Sequence, residues 1–185
     1  MPPKVRITRE DIIKASIKIV RNMGAESLNA RTVALLLGCS TQPIFSNFSS
    51  MDELRLAVVE GADLLCREYM KREAESGKFP VYKATGMAYI RFAKEEKELF
   101  KLLYMRDRTG EESYGVGITG EVEEMVKENT GLDGERARLF HFEIWAFVHG
   151  IATMFATDFL DIEWDLVSNM ITDAYMGLKS RYGVE

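Results

Sequence analysis

The sequence predicts an all-α protein of about nine helices, in which an N-terminal three-helix domain with a helix-turn-helix precedes a larger helical domain. Three observations support this. Apolar residues recur at helical spacing along most of the 185 residues, and no segment alternates as a strand does. The stretch 30–48, ARTVALLLGCSTQPIFSNF, has the spacing of two short helices around a tight turn. Residues 1–50 hold seven basic and three acidic groups and carry +4, so with −5 overall the remainder carries −9.

The first helix is predicted over Thr8–Met23. Thr8 suits the N-cap, Asp11 follows it at capping-box spacing, and Gly24 ends the helix. One face is an apolar stripe. The opposite face is basic, and it is either merely solvated or in direct contact with nucleic acid. Its basic residues are Lys14, Lys18 and Arg21.

The helix-turn-helix is predicted from residue size at fixed positions. Asn29 is expected to cap the second helix. Ala34 is small where the next helix crosses, Gly38 can take a positive φ and turn the chain, and Ile44 points into the core.

The third helix is predicted over Thr41–Phe48, with Ser40 as its N-cap. Pro43 falls at its third position, where a missing N–H loses no intrahelical bond. The outward side chains of this helix have little core to serve and suit groove reading or phosphate contact. They are Thr41, Gln42, Phe45, Ser46 and Asn47.

Helix signals continue to the end of the chain. The sequence SMDE at 50–53 is a predicted capping box for a fourth helix that reaches Ala74. Segment 76–80 is a break, and 106–117, rich in glycine and charge, is predicted to be a flexible loop. Further helices are predicted over 81–93, 96–105, 119–129, 133–157 and 161–182. The predicted domains are 1–50, a linking helix over 51–75, and 76–185.

No catalytic, metal or cofactor site is predicted. Gly115–Gly120 matches GxGxxG, but the dinucleotide fingerprint needs an apolar strand directly before it, and the preceding residues are polar. His141 and His149 are too far apart for a helical metal pair, which needs i, i+4 spacing and a further ligand. The sequence pairs no nucleophile with a base, so we expect no enzyme.

The cysteines and the apolar segments indicate a cytoplasmic protein without a membrane partner. Cys39 and Cys66 lie on separate predicted helices and are interpreted as buried thiols of a reducing compartment. No secretory signal is evident at the N-terminus. The longest apolar stretch, 144–156, is interrupted by His149 and Thr153 and is too short to span a bilayer.

The eighth helix is apolar nearly all round from Leu139 to Phe155, so every side of it must be covered. Neighbouring helices can cover one side. We expect a second subunit to cover the other, together with the apolar stripe of the ninth helix, which gives a four-helix homodimer seam. The candidate dimer residues are Phe147, Ile151, Met154, Met170, Ala174 and Leu178.

Trp145 and His149 lie one turn apart on the eighth helix and share a face. They either form hydrogen bonds inside the core or line a cavity for a small-molecule ligand. Met87, Phe92 and Tyr104 are candidates for the apolar wall of that cavity, although core packing is the simpler role for each of them.

The ordered set IIKASIKIV, MG and LNARTVALLLGCSTQPIFSNFSSMDEL, within Thr8–Val59, resembles the N-terminal domain of TetR/AcrR-family transcriptional regulators. The sequence WAFVHG at 145–150 is similar to the W…HG signature of one C-terminal subclass. The resemblance implies a homodimer that binds a palindromic operator in double-stranded DNA. It also implies a C-terminal ligand-binding and dimerisation domain, and most often a repressor that a small-molecule effector releases.

By position, the resemblance implies contacts with bases or phosphates from Asn29, Arg31, Thr41, Gln42, Pro43, Phe45 and Asn47. The chain departs from the family pattern, because Phe45 replaces the usual Tyr, Asn47 the usual His and Met51 the usual Lys. The recognition helix is therefore uncharged, and affinity would depend on Arg31, helix N-termini and the basic N-terminal arm. The alternative is a helical ligand-binding or interaction protein that has lost DNA binding.

Overall fold

The computed structural model of the chain describes residues 7–106 and 120–184, and within these ranges it is helical with no strand. The prediction of an all-α fold is confirmed for these residues. The helices are α1 (Arg9–Met23), α2 (Ala30–Leu37), α3 (Gln42–Asn47), α4 (Met51–Glu75), α5 (Val81–Glu95), α6 (Lys97–Tyr104), α7 (Gly120–Thr130), α8 (Gly134–Ala156) and α9 (Trp164–Tyr182).

The chain folds into two compact units. The first comprises Met1–Arg67 and Glu96–Arg106, and so contains α1 to α3, most of α4, and α6. The second comprises Glu68–Glu95 and Asp107–Glu185, with the end of α4, α5 and α7 to α9. These units divide the chain inside α4 and take α6 into the first unit, whereas the sequence grouped α6 with the C-terminal helices.

The core of the first unit is built from the apolar stripes of its helices. Ile12 and Val20 of α1, Val33 of α2 and Ile44 of α3 are fully buried. Helix α4 lies against α1 at a glycine, since a Cβ on Gly61 would stand 2.7 Å from Cδ1 of Ile17. Further fully buried members of this core are Phe48, Leu54, Val58, Ala62, Cys66, Leu99 and Phe100.

The predicted caps of α1 and α2 are confirmed. Thr8 and Asp11 form a reciprocal capping box on α1, and the side chain of Asn29 accepts from the first backbone N–H groups of α2. Gly38 ends α2 in the left-handed conformation, with φ of 64°. These three signals depend on neighbours in sequence, which is why they could be predicted.

The caps predicted for α3 and α4 were wrong in detail. The N-cap of α3 is Thr41, not Ser40, and it makes no side-chain cap bond, so Pro43 takes the second position of the helix. At α4, Ser50 Oγ accepts from the Glu53 N–H at 3.2 Å, as a capping box requires. The Glu53 carboxylate, however, accepts from the N–H and Oγ of Ser49.

The later helix boundaries agree with prediction, as at the start of α5 and the end of α9, or differ from it by up to three residues. The largest difference is α9, which begins at Trp164 and not at Asp161. The predicted flexible loop falls on residues of which all but Arg106 lie outside the described ranges, as does the GxGxxG motif apart from Gly120.

The core of the second unit forms mainly between α5 and α8. Helix α5 buries Ala84, Met87, Ala88 and Ile90, and the close approach is served by Gly86, where a Cβ would stand 3.5 Å from Cγ2 of Val148. Further buried residues of this core are Phe92, Ala93, Val126, Ala137, Phe140, Ile144, Ile151, Ala152, Phe155, Ala156, Val167 and Ile171.

Helix α8 is longer than the apolar stretch measured in the sequence. With 23 residues, it is the helix among the described residues that is long and apolar enough to cross a membrane by length and composition. Core helices meet the same criterion, and α8 packs against α5, α7 and α9.

Candidate nucleic-acid interface and regulatory helices

Helix α3 is attached to the first unit by two apolar side chains and presents the rest outward. Ile44 is fully buried and Phe48, directly after the helix, is 2% exposed. Gln42 and Phe45 are exposed on the same short helix, and Phe45 keeps 51% of its surface accessible. One edge of this six-residue helix therefore packs into the core, and its exposed side chains remain available to a partner.

The predicted contact residues around the start of α2 have two different roles. Asn29 is committed to its cap, since its Oδ1 accepts from the N–H groups of Arg31 and Thr32 at 3.1 Å. The Asn29 amide also donates to the Ser27 carbonyl. The side chain of Arg31, in contrast, is exposed at the first turn of α2. Arg31 is therefore the candidate that keeps a cation available here.

Two outward side chains of α3 are partly used inside the helix. Asn47 Nδ2 donates to the Pro43 carbonyl at 2.8 Å, and Ser46 Oγ donates to the Gln42 carbonyl at 2.9 Å. These bonds engage donors that the sequence assigned to phosphates or bases. The Gln42 side chain remains exposed, whereas Thr41 and Pro43 are half-buried.

The basic face of α1 is largely paired with carboxylates of its own unit. Lys14 Nζ lies 2.7 Å from Glu10, and Arg21 Nε donates to Glu96 at 2.6 Å. The Glu10 partner raises the pKa of Lys14. These pairs favour the solvated, structural interpretation of the basic face over direct contact with nucleic acid.

A polar network that was not predicted from the sequence lies at the C-terminal end of α3. Arg9 Nη1 donates to the Asn47 carbonyl at 2.7 Å and to Glu53 Oε1 at 2.8 Å, and its guanidinium lies 4.0 Å from the Phe48 ring centroid. The hydrogen bonds from Ser49, joined by the one from Arg9, lower the pKa of Glu53 to about 2. The sequence places Arg9 at the start of α1, three residues before the apolar Ile12, but this spacing does not indicate which helix end the Arg9 side chain reaches.

Two histidine–tyrosine pairs lie between α5 and α8 in the second unit. Tyr82 Oη and His141 Nδ1 are 2.9 Å apart, as are Tyr89 Oη and His149 Nδ1. Burial lowers the pKa of His141 to about 4, lowers that of His149 and raises that of Tyr82. A neutral imidazole can accept one hydrogen bond and donate another, so each pair satisfies a polar group that the core would otherwise leave unpaired.

Trp145 stacks on His149, with ring centroids 4.8 Å apart and planes inclined by 14°. The predicted shared face is therefore present, and His149 in turn is bonded to Tyr89. This arrangement supports a packing role for His149, although His149 and Trp145 are both half-buried and keep some accessible surface.

The five predicted pocket residues do not form one described cavity. Met87 and Phe92 are fully buried in the core of the second unit, and Tyr104 lies in the first unit, where its hydroxyl is 3.6 Å from Cys66. An open groove of about 470 Å³ occurs elsewhere in the second unit, and none of the five lines it. Its lining residues are Glu128, Asn129, Thr130, Gly131, Leu132, Arg136, Tyr182, Gly183 and Val184.

The predicted dimer residues divide by exposure. Ile151 is only 3% exposed and packs inside its own unit, so it offers little surface to a second subunit. Phe147 is 37% exposed. The other four, Met154, Met170, Ala174 and Leu178, are half-buried.

The outward side of α8 carries two large apolar side chains that are not among the dimer residues predicted from the sequence. Leu139 is 51% and Phe142 42% exposed. Ala146 and Gly150 follow on the same side at helical spacing, and a Cβ on Gly150 would meet nothing within 4 Å. Periodicity could have identified this stripe if the inward face had been known.

Among the described residues, no group of three or more histidine, cysteine, aspartate or glutamate side chains could hold a metal ion. The absence of a cofactor stays a prediction. The candidate site is the exposed surface of α2 and α3, together with the residues that hold these helices.

The chain is similar in sequence and fold to known transcriptional regulators. No family model matches it. It is 22% identical, over 182 residues covering 95% of the chain and 84% of the relative, to an uncharacterised helix-turn-helix-type transcriptional regulator of Mycobacterium tuberculosis. A TetR-like transcriptional regulator from Rhodococcus sp. RHA1 superposes with a TM-score of 0.67 at 16% identity, covering 96% of this chain and 98% of that one.

A second solved structure gives the same result. A member of the TetR family from Streptomyces coelicolor A3 has a TM-score of 0.62 at 18% identity, covering 90% of this chain and 96% of that one. The resemblance inferred from Thr8–Val59 is therefore confirmed at the level of fold, while the W…HG subclass stays a prediction. The chain has the fold of the TetR-family transcriptional regulators.

Proposed function

We propose that the protein is a DNA-binding transcriptional regulator, which binds a palindromic operator as a homodimer and acts as a repressor that a small-molecule effector releases. One observation carries the DNA-binding part. Helix α3 uses Ile44 to dock on the core and leaves Gln42 and Phe45 exposed after a left-handed turn at Gly38. Such a helix fits the major groove of B-DNA.

Within this proposal, Gln42 reads sequence. Its amide has the donor and acceptor that pair with N6 and N7 of adenine, and no other polar side chain of α3 is both exposed and free of a hydrogen bond to its own helix. Arg31 supplies a cation for a phosphate or a guanine edge at the start of α2. Phe45 supplies apolar contact with sugar or a thymine methyl group.

The homodimer rests on the outward stripe of α8. Leu139, Phe142 and Phe147 expose apolar surface that a second copy of the same helix would bury. Gly150 has open space above it, so two backbones can approach closely there. A homodimer with a two-fold axis contains two α3 helices, one for each half of a palindrome.

The effector response and the repressor role rest on fewer observations than DNA binding does. Trp145 stacks on His149 and keeps accessible surface beside the Tyr89 hydrogen bond. An aromatic ligand that stacks on Trp145 would disturb that pair and, through Tyr89, the packing of α5. Repression itself is proposed because it is the commonest role in the family that the sequence resembles.

The experiment is a fluorescence-anisotropy titration of the purified chain against duplexes from the DNA upstream of its own gene, with an unrelated duplex as competitor. Specific binding at physiological salt supports the proposal. Binding of all duplexes with equal strength, or of none, contradicts it and favours the alternative of an interaction protein that has lost DNA binding. Exposed Glu60 lies outside α2 and α3, so Glu60→Gln is a matched surface control.

A further inference from the structure

We propose that Arg9 is a positioning residue for the DNA-reading helix, which it holds by its C-terminal end through Asn47 and Glu53. This inference rests on the proposed function, because a positioned reader matters only if α3 reads DNA. It differs from the usual expectation for a basic residue near a helix-turn-helix, namely contact with a phosphate.

The geometry gives Arg9 three attachments at one point. Its guanidinium donates to the carbonyl of Asn47, the last residue of α3, and to Glu53 in the first turn of α4. It also lies over the Phe48 ring at 4.0 Å, and Phe48 is one of the largest buried side chains of the unit. One side chain from the first turn of α1 thereby joins the end of α3 to the start of α4.

Helix α3 needs such support because its own bonds are few. It has six residues, and its N-cap, Thr41, makes no side-chain bond to the helix. A helix of this length does not persist by itself in water. The Asn47 carbonyl is one of the terminal carbonyls that a helix leaves without an intrahelical partner, and a guanidinium there satisfies it and complements the helix dipole.

Glu53 completes the support from the other side. Its second carboxylate oxygen accepts from the N–H and the Oγ of Ser49 at 2.7 and 2.8 Å. The segment from Asn47 to Glu53 is therefore fixed at both ends. Phe48 fills the core between them, so the direction in which Gln42 points depends on this network.

The positioning role and a phosphate contact predict opposite effects for one substitution. Glu53 is a partly exposed anion close to the end of the helix proposed to bind DNA, so removing its charge should strengthen binding if electrostatics alone matters. If Arg9 and Glu53 position α3, Glu53→Gln should weaken binding instead. Glu10→Gln is the matched control. Like Glu53, Glu10 is a carboxylate paired with a basic side chain, but it lies in α1 and its partner is Lys14, which belongs to neither α3 nor α4.

The experiment measures operator binding of the full chain and of Arg9→Ala, Arg9→Lys, Glu53→Gln, Arg9→Ala/Glu53→Gln and Glu10→Gln, at several salt concentrations and against single-base operator variants. We expect Arg9→Ala and Glu53→Gln each to lose affinity on the order of tenfold, since hydrogen bonds to charged groups are lost. We expect the double variant to lose little more than either single one. The salt slope should stay unchanged and the preference at the base pair read by Gln42 should flatten.

Other results overturn the proposal. If Arg9→Lys binds as the parent does while Arg9→Ala lowers the salt slope by about one unit per subunit, Arg9 contacts a phosphate. Tighter binding by Glu53→Gln also refutes a positioning role.

A second measurement keeps this inference separate from the proposed function. Amide hydrogen exchange without DNA should be faster at Phe48, whose N–H bonds to the Ile44 carbonyl, in Arg9→Ala than in Glu10→Gln. A parent chain that binds no duplex refutes the proposed function, while the exchange result still decides whether Arg9 holds α3. Equal exchange in both variants refutes the inference even if the parent binds DNA.

Discussion

Two polar networks, one in each unit of this protein, lie in different surroundings. In the first unit, Arg9 and Glu53 lie at the surface and hold the end of the short helix α3. In the second, Tyr82 meets His141 and Tyr89 meets His149 in partly buried pairs between two long helices.

The difference follows from helix length. A helix of six or eight residues has nearly all its backbone groups near an end, so caps decide whether it forms. Helices of 15 and 23 residues, α5 and α8, satisfy their own backbones and are stabilised by packing. Which faces of these two helices contact each other is then selected by hydrogen bonds between defined partners in their interface.

The largest expected effect tests the buried core of the second unit. Phe92→Ala should lower the free energy of unfolding by about 3–5 kcal/mol, because Phe92 is fully buried and packs edge-on against Tyr69. Urea unfolding followed by circular dichroism measures this. Phe159→Ala is the control, since Phe159 is 74% exposed and should change stability little. A small loss at Phe92 would favour a pocket there.

The next effect tests the outward stripe of α8. Phe147→Glu should weaken self-association by at least ~2 kcal/mol, because a charge would enter an apolar seam. Sedimentation equilibrium measures the dimer. Ile151→Glu cannot make this test, since Ile151 is buried in its own unit. Leu35→Glu, at a position 83% exposed in the first unit, should leave self-association unchanged. Phe147→Glu dimers as stable as the parent would place the seam elsewhere.

DNA reading by the first unit gives an effect of similar or smaller size. Gln42→Ala should remove base preference at one position per half-site, about 1–3 kcal/mol, while leaving stability unchanged because Gln42 is exposed. Arg31→Ala, if it contacts a phosphate, should weaken all sequences alike and reduce the salt slope by about one unit per subunit. Anisotropy titrations against single-base variants separate the two. If Gln42→Ala preserves the parent's rank order and affinities, α3 is not the reading helix.

The smallest expected effect is a pH dependence that separates the units. Because burial lowers the pKa of His141 to about 4 from 6.5, the unfolded chain binds more protons between these values. The second unit should therefore lose stability as pH falls through that window, by roughly 1–2 kcal/mol after allowing for partial exposure. Glu53, with its pKa lowered to about 2, should destabilise the first unit only below about pH 4.5.

Urea midpoints between pH 7 and pH 4 measure this dependence. His141→Asn keeps a group near Tyr82 that can form a hydrogen bond but cannot titrate, so it should reduce the slope above pH 4.5 and leave the part that belongs to His149. Glu53→Gln should leave that slope as it is in the parent. An unchanged slope in His141→Asn would mean that another group titrates.

The sequence by itself determined the local features of this protein. The capping box of Thr8 and Asp11, the cap at Asn29 and the left-handed Gly38 all join residues at most a few positions apart, so spacing and residue type suffice. The helix-turn-helix could be predicted for the same reason. The prediction of the N-cap failed at α3, because Ser40 and Thr41 are both acceptable caps and the choice depends on how Ile44 and Phe48 enter the core.

The tertiary structure alone decided the contacts between distant residues. Arg9 reaches Asn47 and Glu53, 38 and 44 positions away, and Tyr82 reaches His141 across 59. It also decided that Ile151 lies inward while Leu139 and Phe142 lie outward. A helix that is apolar all round has no preferred face in its sequence, because the hydrophobic effect is not directional, and only the neighbouring helices select one.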